Sequence, residues 1–192
     1  MSTEEAQQRI ARLYLERNQL YRTLPGARLV LNLGCGSGSF PKHYEERRCL
    51  IVNVDRDEKV AGYPAYGPAN RGFRGFAELD PEADRCLNVK RDVMDIHRFP
   101  TGVFDMVVAG QLIEHFKPRD LEWLLHEIHR VLAPGGRLQI DTVTDKLGES
   151  LEEHEAHFTT ASVHELLSRF KYSRMVLQEF AEGTAIWAVY RT

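Results

Sequence analysis

The sequence predicts an α/β protein with a Rossmann-like, doubly wound, mostly parallel sheet of seven strands and helices on both faces. Short apolar runs alternate with helical segments through most of the chain, an order typical of parallel sheets. The last two strand-like runs follow each other directly, around Glu182-Gly183. They predict a C-terminal antiparallel hairpin that extends the sheet.

The first half of the chain opens with a polar segment containing a capping-box pattern, Ser2 with Glu5, and a later Pro25-Gly26 stop. Residues 63–82 are rich in proline, glycine and aromatic side chains and have no clear period. Long irregular segments are often binding loops, so this one is a candidate lid over a bound substrate. The other expected elements are an N-terminal helix within 1–26 (about 3–22), strands at 28–33 and 49–54, and a helix at 39–48.

The second half continues the alternation. Asp120 is a candidate helix cap, and the apolar residues after it follow a 3.6-residue period up to the "APGG" turn at 133–136. Thr159 or Thr160 is expected to cap a second helix that runs to Phe170. The expected strands are 87–89, 104–109, 137–142, 174–180 and 184–190.

Length and composition bound the class of protein. The chain has 192 residues and a formal net charge of −3, which fits one domain over 1–192 and disfavours a general nucleic-acid binder, because phosphate neutralisation needs a basic face. Three scattered cysteines without a CxxC pair indicate neither a disulfide framework nor a zinc knuckle. The polar N-terminus and the lack of an apolar run of about 20 residues predict a cytoplasmic protein without a membrane span.

A glycine-rich loop, "LNLGCGSGSF" at 31–40, follows the first strand. Glycine at Gly34, Gly36 and Gly38 permits positive φ and close approach of a ligand. The dinucleotide pattern G-x-G-x-x-G would place its third glycine at Ser39, so the match to that motif is incomplete.

Two acidic residues follow neighbouring strands. Asp55 ends the second strand, and its carboxylate can accept from both hydroxyls of a ribose. Asp92 follows the third strand and can accept from an exocyclic adenine amine. These two residues fit any adenosine-bearing cofactor, NAD included, and Asp55 could alternatively cap a helix.

Four motifs in order then carry a family resemblance: "LNLGCGSG", "VNVD", "FDMVVAGQLIEHF" and "RVLAPGGRL". With them the chain resembles the class I S-adenosylmethionine-dependent methyltransferases from about Leu29 to its C-terminus. The resemblance implies S-adenosylmethionine as cofactor and S-adenosylhomocysteine as product.

The resemblance also implies the residues that would bind the cofactor. The loop after the first strand would wrap the methionyl part and the ribose, Asp55 would bind the ribose hydroxyls, and the segment after the third strand would bracket the adenine. Backbone groups after the fourth strand would contact the methionyl end. The cofactor-binding residues predicted in this way are Asn32, Gly34, Cys35, Gly36, Gly38, Asp55, Arg56, Asp92, Val93, Met94 and Gln111.

Three histidines are candidates for a general base, which methyl transfer needs when the acceptor holds its proton tightly. His115 in "LIEHF" follows the fourth strand, and an orienting or packing role is its alternative. His154 and His157 lie in a later loop, "EEHEAHF". Their His-x-x-His spacing alone does not indicate a metal site, so no metal is expected. Glu114 is expected at a helix N-terminus, favoured by the helix dipole.

The predicted function is methyl transfer to an oxygen or nitrogen of a small-molecule acceptor. An Asn-Pro-Pro-Tyr-type motif, needed for amide-like nitrogens, is replaced by "AGQL" after the fourth strand. The alternatives are an RNA methyltransferase and a non-catalytic protein that binds S-adenosylmethionine. The net negative charge disfavours the first of these. A nicotinamide oxidoreductase has support only from the first strand and its turn.

Overall fold

The computed structural model of the chain describes residues 28–36, 50–56, 86–143, 154–170, 172–180 and 183–190. The helices expected near the N-terminus and at 39–48, the irregular segment 63–82 and the loop residue Gly38 lie outside the described residues.

Five strands form a parallel sheet, as the alternating pattern predicts. They pair in the order β3-β2-β1-β4-β5, with β1 and β4 at the centre. Their bounds are β1 Leu29–Leu33, β2 Leu50–Asp55, β3 Cys86–Lys90, β4 Phe104–Gly110 and β5 Leu132–Val143. This order reverses direction beside β1, and ligands of such sheets bind at that point, beyond the carboxyl ends of the strands.

Two further strands, β6 (Tyr172–Phe180) and β7 (Gly183–Tyr190), complete the seven-stranded sheet. They pair with each other antiparallel, and β7 also pairs antiparallel with β5. The last strand therefore lies between β5 and β6.

Two α-helices, α1 (Pro118–Val131) and α2 (Thr160–Ser168), follow the expected pattern with one correction. Asp120 does not cap α1: Lys117 is the N-cap residue, and Pro118 occupies the first helical position, where its fixed φ and missing N–H suit a helix start. Asp120 lies within the first turn. Thr159 caps α2: its hydroxyl accepts from the N–H of Ser162, and its own N–H donates to the hydroxyl of Ser162, which completes a capping box.

The "APGG" turn ends α1 as predicted, but no loop separates it from the next strand. β5 begins at Leu132, and four residues, Ala133 to Gly136, lie opposite one residue of β4. Gly135 takes a φ of 76°, which the bulge requires.

The main core lies between one face of the sheet and the two described helices. Alternate residues of the central strands pack with the apolar stripe of α1 and with α2. Among the fully buried members are Leu31, Leu33, Val107, Leu124, Ile128, Leu138 and Leu167. The expected helices that would cover the opposite face fall outside the described residues.

Arg130, near the end of α1, joins the helix to the segment before β4. Its guanidinium donates to the carbonyl oxygens of Phe99 (2.9 Å) and Ile96 (3.2 Å) and to the hydroxyl of Thr101 (3.0 Å). It also pairs with Glu127 at 2.8 Å. Ile96 belongs to a 3₁₀ helix, Val93–Arg98, so one side chain fixes that helix against α1. Within the described residues, no helix has the length and apolarity to cross a bilayer.

Candidate active site

The glycine loop turns sharply at the carboxyl end of β1. Gly34 and Gly36 both have positive φ, 62° and 50°, the backbone region that glycine enters without steric cost. The N–H groups of Gly34 and Cys35 donate to the carbonyl oxygen of Val54, at 2.8 and 3.3 Å. The turn is therefore bonded to the last residues of β2.

The two glycines meet different surroundings. A Cβ on Gly34 would lie 2.6 Å from Cδ1 of Leu112, a buried side chain just beyond β4. Among the described residues, no atom lies within 4 Å of a Cβ built on Gly36. Gly34 is therefore needed for packing inside the protein, whereas a larger residue at position 36 would meet no described atom.

Asp55 fixes the position of this loop. Its Oδ2 accepts a hydrogen bond from the N–H of Gly36 at 2.8 Å. The residue is half-buried at the end of β2, and exposed Arg56 follows it. The carboxylate predicted to bind ribose therefore lies at the mouth of the glycine turn.

The segment after β3 lies at the same edge. Asp92 is exposed and caps the 3₁₀ helix, its Oδ1 accepting from the N–H of Met94 at 2.9 Å. The N–H of Arg91 donates to the carbonyl oxygen of Asp55 at 2.9 Å, which ties this segment to the end of β2. Val93 is buried and belongs to the core, and Met94 is half-buried.

Asn32 lies within β1 and not in the turn. Its Nδ2 donates to Oδ1 of Asn53 on β2 at 2.9 Å, and both residues are buried. This hydrogen bond links the two strands just before the loop begins. Any contribution of Asn32 to a cofactor site stays a prediction.

Gln111, directly after β4, has a φ of 51°, which is uncommon for a residue with a side chain. Two hydrogen bonds to Asp141 at the end of β5 hold it there. The backbone N–H donates to the carbonyl oxygen at 2.8 Å, and Nε2 donates to Oδ2 at 3.1 Å. Backbone strain of this kind is often found at functional sites.

Glu114 lies in the first turn of a helix, as predicted, but this helix is a three-residue 3₁₀ turn, Ile113–His115. The side chain is only 1% exposed. The hydroxyl of Thr142, on β5, donates to its Oε2 at 2.9 Å. The carboxylate therefore lies in the interior, against β5.

Two of the three candidate histidines come together at this turn. The rings of His115 and His154 lie 5.0 Å apart, edge to face. Ligand atoms of Glu114, His115 and His154 all lie within 4.8 Å of one another. His157 is exposed and lies outside this cluster. The sequence separates these histidines by 39 positions, so their pairing had no local signal.

Backbone hydrogen bonds hold the His154 segment in place. The N–H groups of Glu155 and Ala156 donate to the carbonyl oxygen of Glu114, at 2.9 and 3.0 Å. Sequence reasoning missed this connection and also missed Thr142, an ordinary strand residue in the sequence.

Comparison with known proteins gives the family. The sequence model of the methyltransferase-domain family matches residues 31–140. This match covers more than half of the chain, and the chain belongs to this family. The resemblance to class I S-adenosylmethionine-dependent methyltransferases is thereby confirmed. A probable methyltransferase of Arabidopsis thaliana is 26% identical over 162 residues, covering 84% of this chain. The chain spans only 24% of that relative's length.

Solved structures share the fold. A SAM-dependent methyltransferase from Archaeoglobus fulgidus matches with a TM-score of 0.70 at 15% identity, over 94% of this chain and 93% of that one. The 1,6-didemethyltoxoflavin-N1-methyltransferase of Burkholderia thailandensis, solved with bound 1,6-didemethyltoxoflavin and S-adenosylhomocysteine, matches with a TM-score of 0.62 at 16% identity, over 100% of this chain and 92% of that one. The Rossmann-like fold prediction is thereby confirmed.

Proposed function

We propose that this protein transfers a methyl group from S-adenosylmethionine to an oxygen or nitrogen of a small molecule. The observation that carries the proposal is the hydrogen bond between Gly36 and Asp55, which places an open backbone turn and a carboxylate side by side beyond β1 and β2. The backbone there can approach the cofactor closely, and the carboxylate can accept from its ribose hydroxyls. Family membership supports the same cofactor.

Four further predicted cofactor residues support the proposal because they follow β3 and β4. Asp92, Val93 and Met94 follow β3, on the side where the adenine would lie, and Gln111 follows β4, on the side of the methionyl group. The strained backbone of Gln111, held by Asp141, presents peptide groups in one fixed orientation. Fixed groups of this kind orient a bound cofactor at little cost in entropy.

The reaction itself is an in-line displacement, for which the cofactor supplies an activated methyl group. The protein's contribution is to orient the acceptor, an effect worth up to about 7–11 kcal/mol in favourable cases. His115 lies four positions after Gln111, with the ring of His154 5.0 Å from its own, and we place both side chains next to the acceptor. A small acceptor is supported by the net charge of −3 and by the N1-methyltransferase neighbour, whose structure holds bound 1,6-didemethyltoxoflavin.

The test is calorimetric titration of the protein with S-adenosylhomocysteine, and separately with NAD. In Asp55→Asn the amide oxygen can still accept from Gly36, so the loop keeps its shape while the charge is lost. We expect this variant to bind S-adenosylhomocysteine about 10- to 100-fold more weakly, since a hydrogen bond to a charged group is worth about 1.5–3 kcal/mol.

The matched control is Asp120→Asn, an exposed aspartate in the first turn of α1, which should leave the affinity unchanged. Absence of binding by the unmodified protein, or preferential binding of NAD, would overturn the proposed function.

A further inference from the structure

The cluster of Glu114, His115 and His154 combines one carboxylate and two imidazoles from separate parts of the chain. Their ligand atoms lie within 4.8 Å of one another. Two histidines and one glutamate are a ligand set that proteins use for catalytic zinc, with a fourth position left open for water or substrate. We propose that this cluster binds one divalent transition-metal ion of the zinc type, beside the position of the acceptor. This replaces the expectation of no metal.

The first support is the burial of the carboxylate. Glu114 is 1% exposed, and an ionised carboxylate at such a position needs positive charge close by. A metal ion held by this carboxylate and the two neighbouring imidazole nitrogens would supply that charge.

The second support is that the backbone builds the cluster before any ion binds. The N–H groups of Glu155 and Ala156 both donate to the carbonyl oxygen of Glu114, which places His154 beside the 3₁₀ turn. Thr142 donates to Glu114 Oε2 at 2.9 Å. A hydrogen bond of this kind orients a metal-binding carboxylate from behind.

The third support is the graded exposure of the three side chains. Glu114 is buried, His154 is half-buried and His115 is exposed. Ligand atoms around a tetrahedral zinc ion lie about 3.3 Å apart, given metal–ligand distances of about 2.0–2.1 Å. A side-chain rotation of the exposed His115 would close the difference. The open coordination position then faces outward, where an acceptor can enter.

Such an ion would change how the acceptor loses its proton. This step rests on the proposed function. An acceptor hydroxyl bound at the open position becomes more acidic, because the cation stabilises the oxyanion. Its proton leaves to solvent, and the oxygen then attacks the methyl carbon. The carbon–sulfur bond breaks with its electron pair on sulfur, giving the methyl ether and S-adenosylhomocysteine. His115 and His154 are then ligands and not bases, and the oxygen acceptor is favoured over nitrogen.

In the test, a chelator first removes any metal from the protein. The protein is then titrated with Zn²⁺, followed by calorimetry, and separately with Co²⁺, followed by visible absorption. We expect one ion per chain and the intense Co²⁺ bands of a four-coordinate site. Glu114→Gln and His154→Ala should each weaken Zn²⁺ binding by about 100-fold or more, since removing even an outer-shell partner costs 10- to 100-fold. A glutamine at 114 can still accept from Thr142, which preserves the fold.

The matched control is His157→Ala, which removes a histidine three positions from His154 but outside the cluster, and it should bind Zn²⁺ as the unmodified chain does. Equal Zn²⁺ affinity in all variants would overturn the proposed site, and so would weak Zn²⁺ binding that is unchanged in Glu114→Gln. Glu114 and a histidine would then form an ion pair without a metal.

Titration of the same samples with S-adenosylhomocysteine separates the two proposals. Absence of Zn²⁺ binding by the unmodified protein, with intact binding of S-adenosylhomocysteine, would refute the metal proposal alone. Failure of the unmodified protein to bind the nucleoside would refute the proposed function.

Discussion

At the scale of single residues, the site depends on a few backbone positions that tolerate little change. Gly34 combines a positive φ with the closest approach among the glycines described, 2.6 Å from a Cβ to Leu112. Gln111 holds a positive φ of 51° because two hydrogen bonds to Asp141 compensate for it. The loop after β1 and the turn after β4 therefore pack directly on each other through Leu112.

This packing predicts an unequal pair of substitutions. Gly34→Ala should lower the free energy of unfolding by the cost of positive φ, about 1–2 kcal/mol, plus about 1–3 kcal/mol for displacing Leu112. Gly102 has a φ of 69°, and no described atom lies within 4 Å of a Cβ built on it. Gly102→Ala should therefore lower the free energy of unfolding only by the cost of positive φ. Urea unfolding measures both. Equal losses in the two variants would show that Leu112 yields without cost.

The double variant Gly34→Ala/Leu112→Ala gives a further check. Removing the Leu112 side chain relieves the overlap, so the alanine at 34 should cost less in that background than in the unmodified chain.

At the scale of elements, side-chain hydrogen bonds from α1 tie down the segment that connects β3 to β4. Arg130 makes three hydrogen bonds across to the 3₁₀ segment and its exit. Because Asp92 and Met94 belong to the same segment, the guanidinium indirectly positions one side of the candidate cofactor site.

Arg130→Lys should therefore destabilise the fold by about 2–3 kcal/mol, because the single ammonium group of lysine cannot donate to both half-buried carbonyl oxygens in the way the planar guanidinium does. The control is Arg98→Ala, which removes an ion pair whose two side chains are 61% and 38% exposed. It should cost less than about 1 kcal/mol. Thermal unfolding of both variants is the measurement, and similar losses would contradict the assignment of Arg130 as the clamp.

The sequence predicts elements well where a buried strand or an apolar stripe repeats. The period-3.6 residues after Asp120 predict α1, and Thr159 is the cap of α2. Prediction from the sequence fails where a local signal competes with another one or with packing. Asp120 is a good cap residue, but the helix already begins at Pro118. Glu114 has the character of a surface carboxylate, and only the long-range contact with Thr142 places it in the interior. His115 and His154 are 39 positions apart in the sequence, and no local sequence pattern predicts that the fold brings them together.

At the scale of the whole molecule, the proposed cofactor site draws on the ends of four neighbouring strands, β1 to β4. A ligand bound there would contact segments that are far apart in the sequence. Its binding free energy would therefore add to the stability of the whole sheet, because it is lost when any of these strands separates.

S-adenosylhomocysteine at 100 times its dissociation constant should raise the free energy of unfolding by about 2.7 kcal/mol. The corresponding rise in Tm is several degrees for a chain of this size. NAD at the same concentration should produce none. Differential scanning fluorimetry checks both, and an equal shift with the two ligands would contradict a site that selects the nucleoside.

The position of β7 has a consequence for synthesis of the chain on the ribosome. β7 is the last strand described, yet it lies inside the sheet, bonded to β5 on one side and β6 on the other. Until residues 183–190 have emerged, the outer edge of β5 has no strand beside it, and an unpaired edge invites association with other chains. The nascent chain therefore carries an unpaired edge during the synthesis of residues 144–182, between the end of β5 and the start of β7, and ribosome stalling before Gly183 would expose a nearly complete parallel sheet to aggregation.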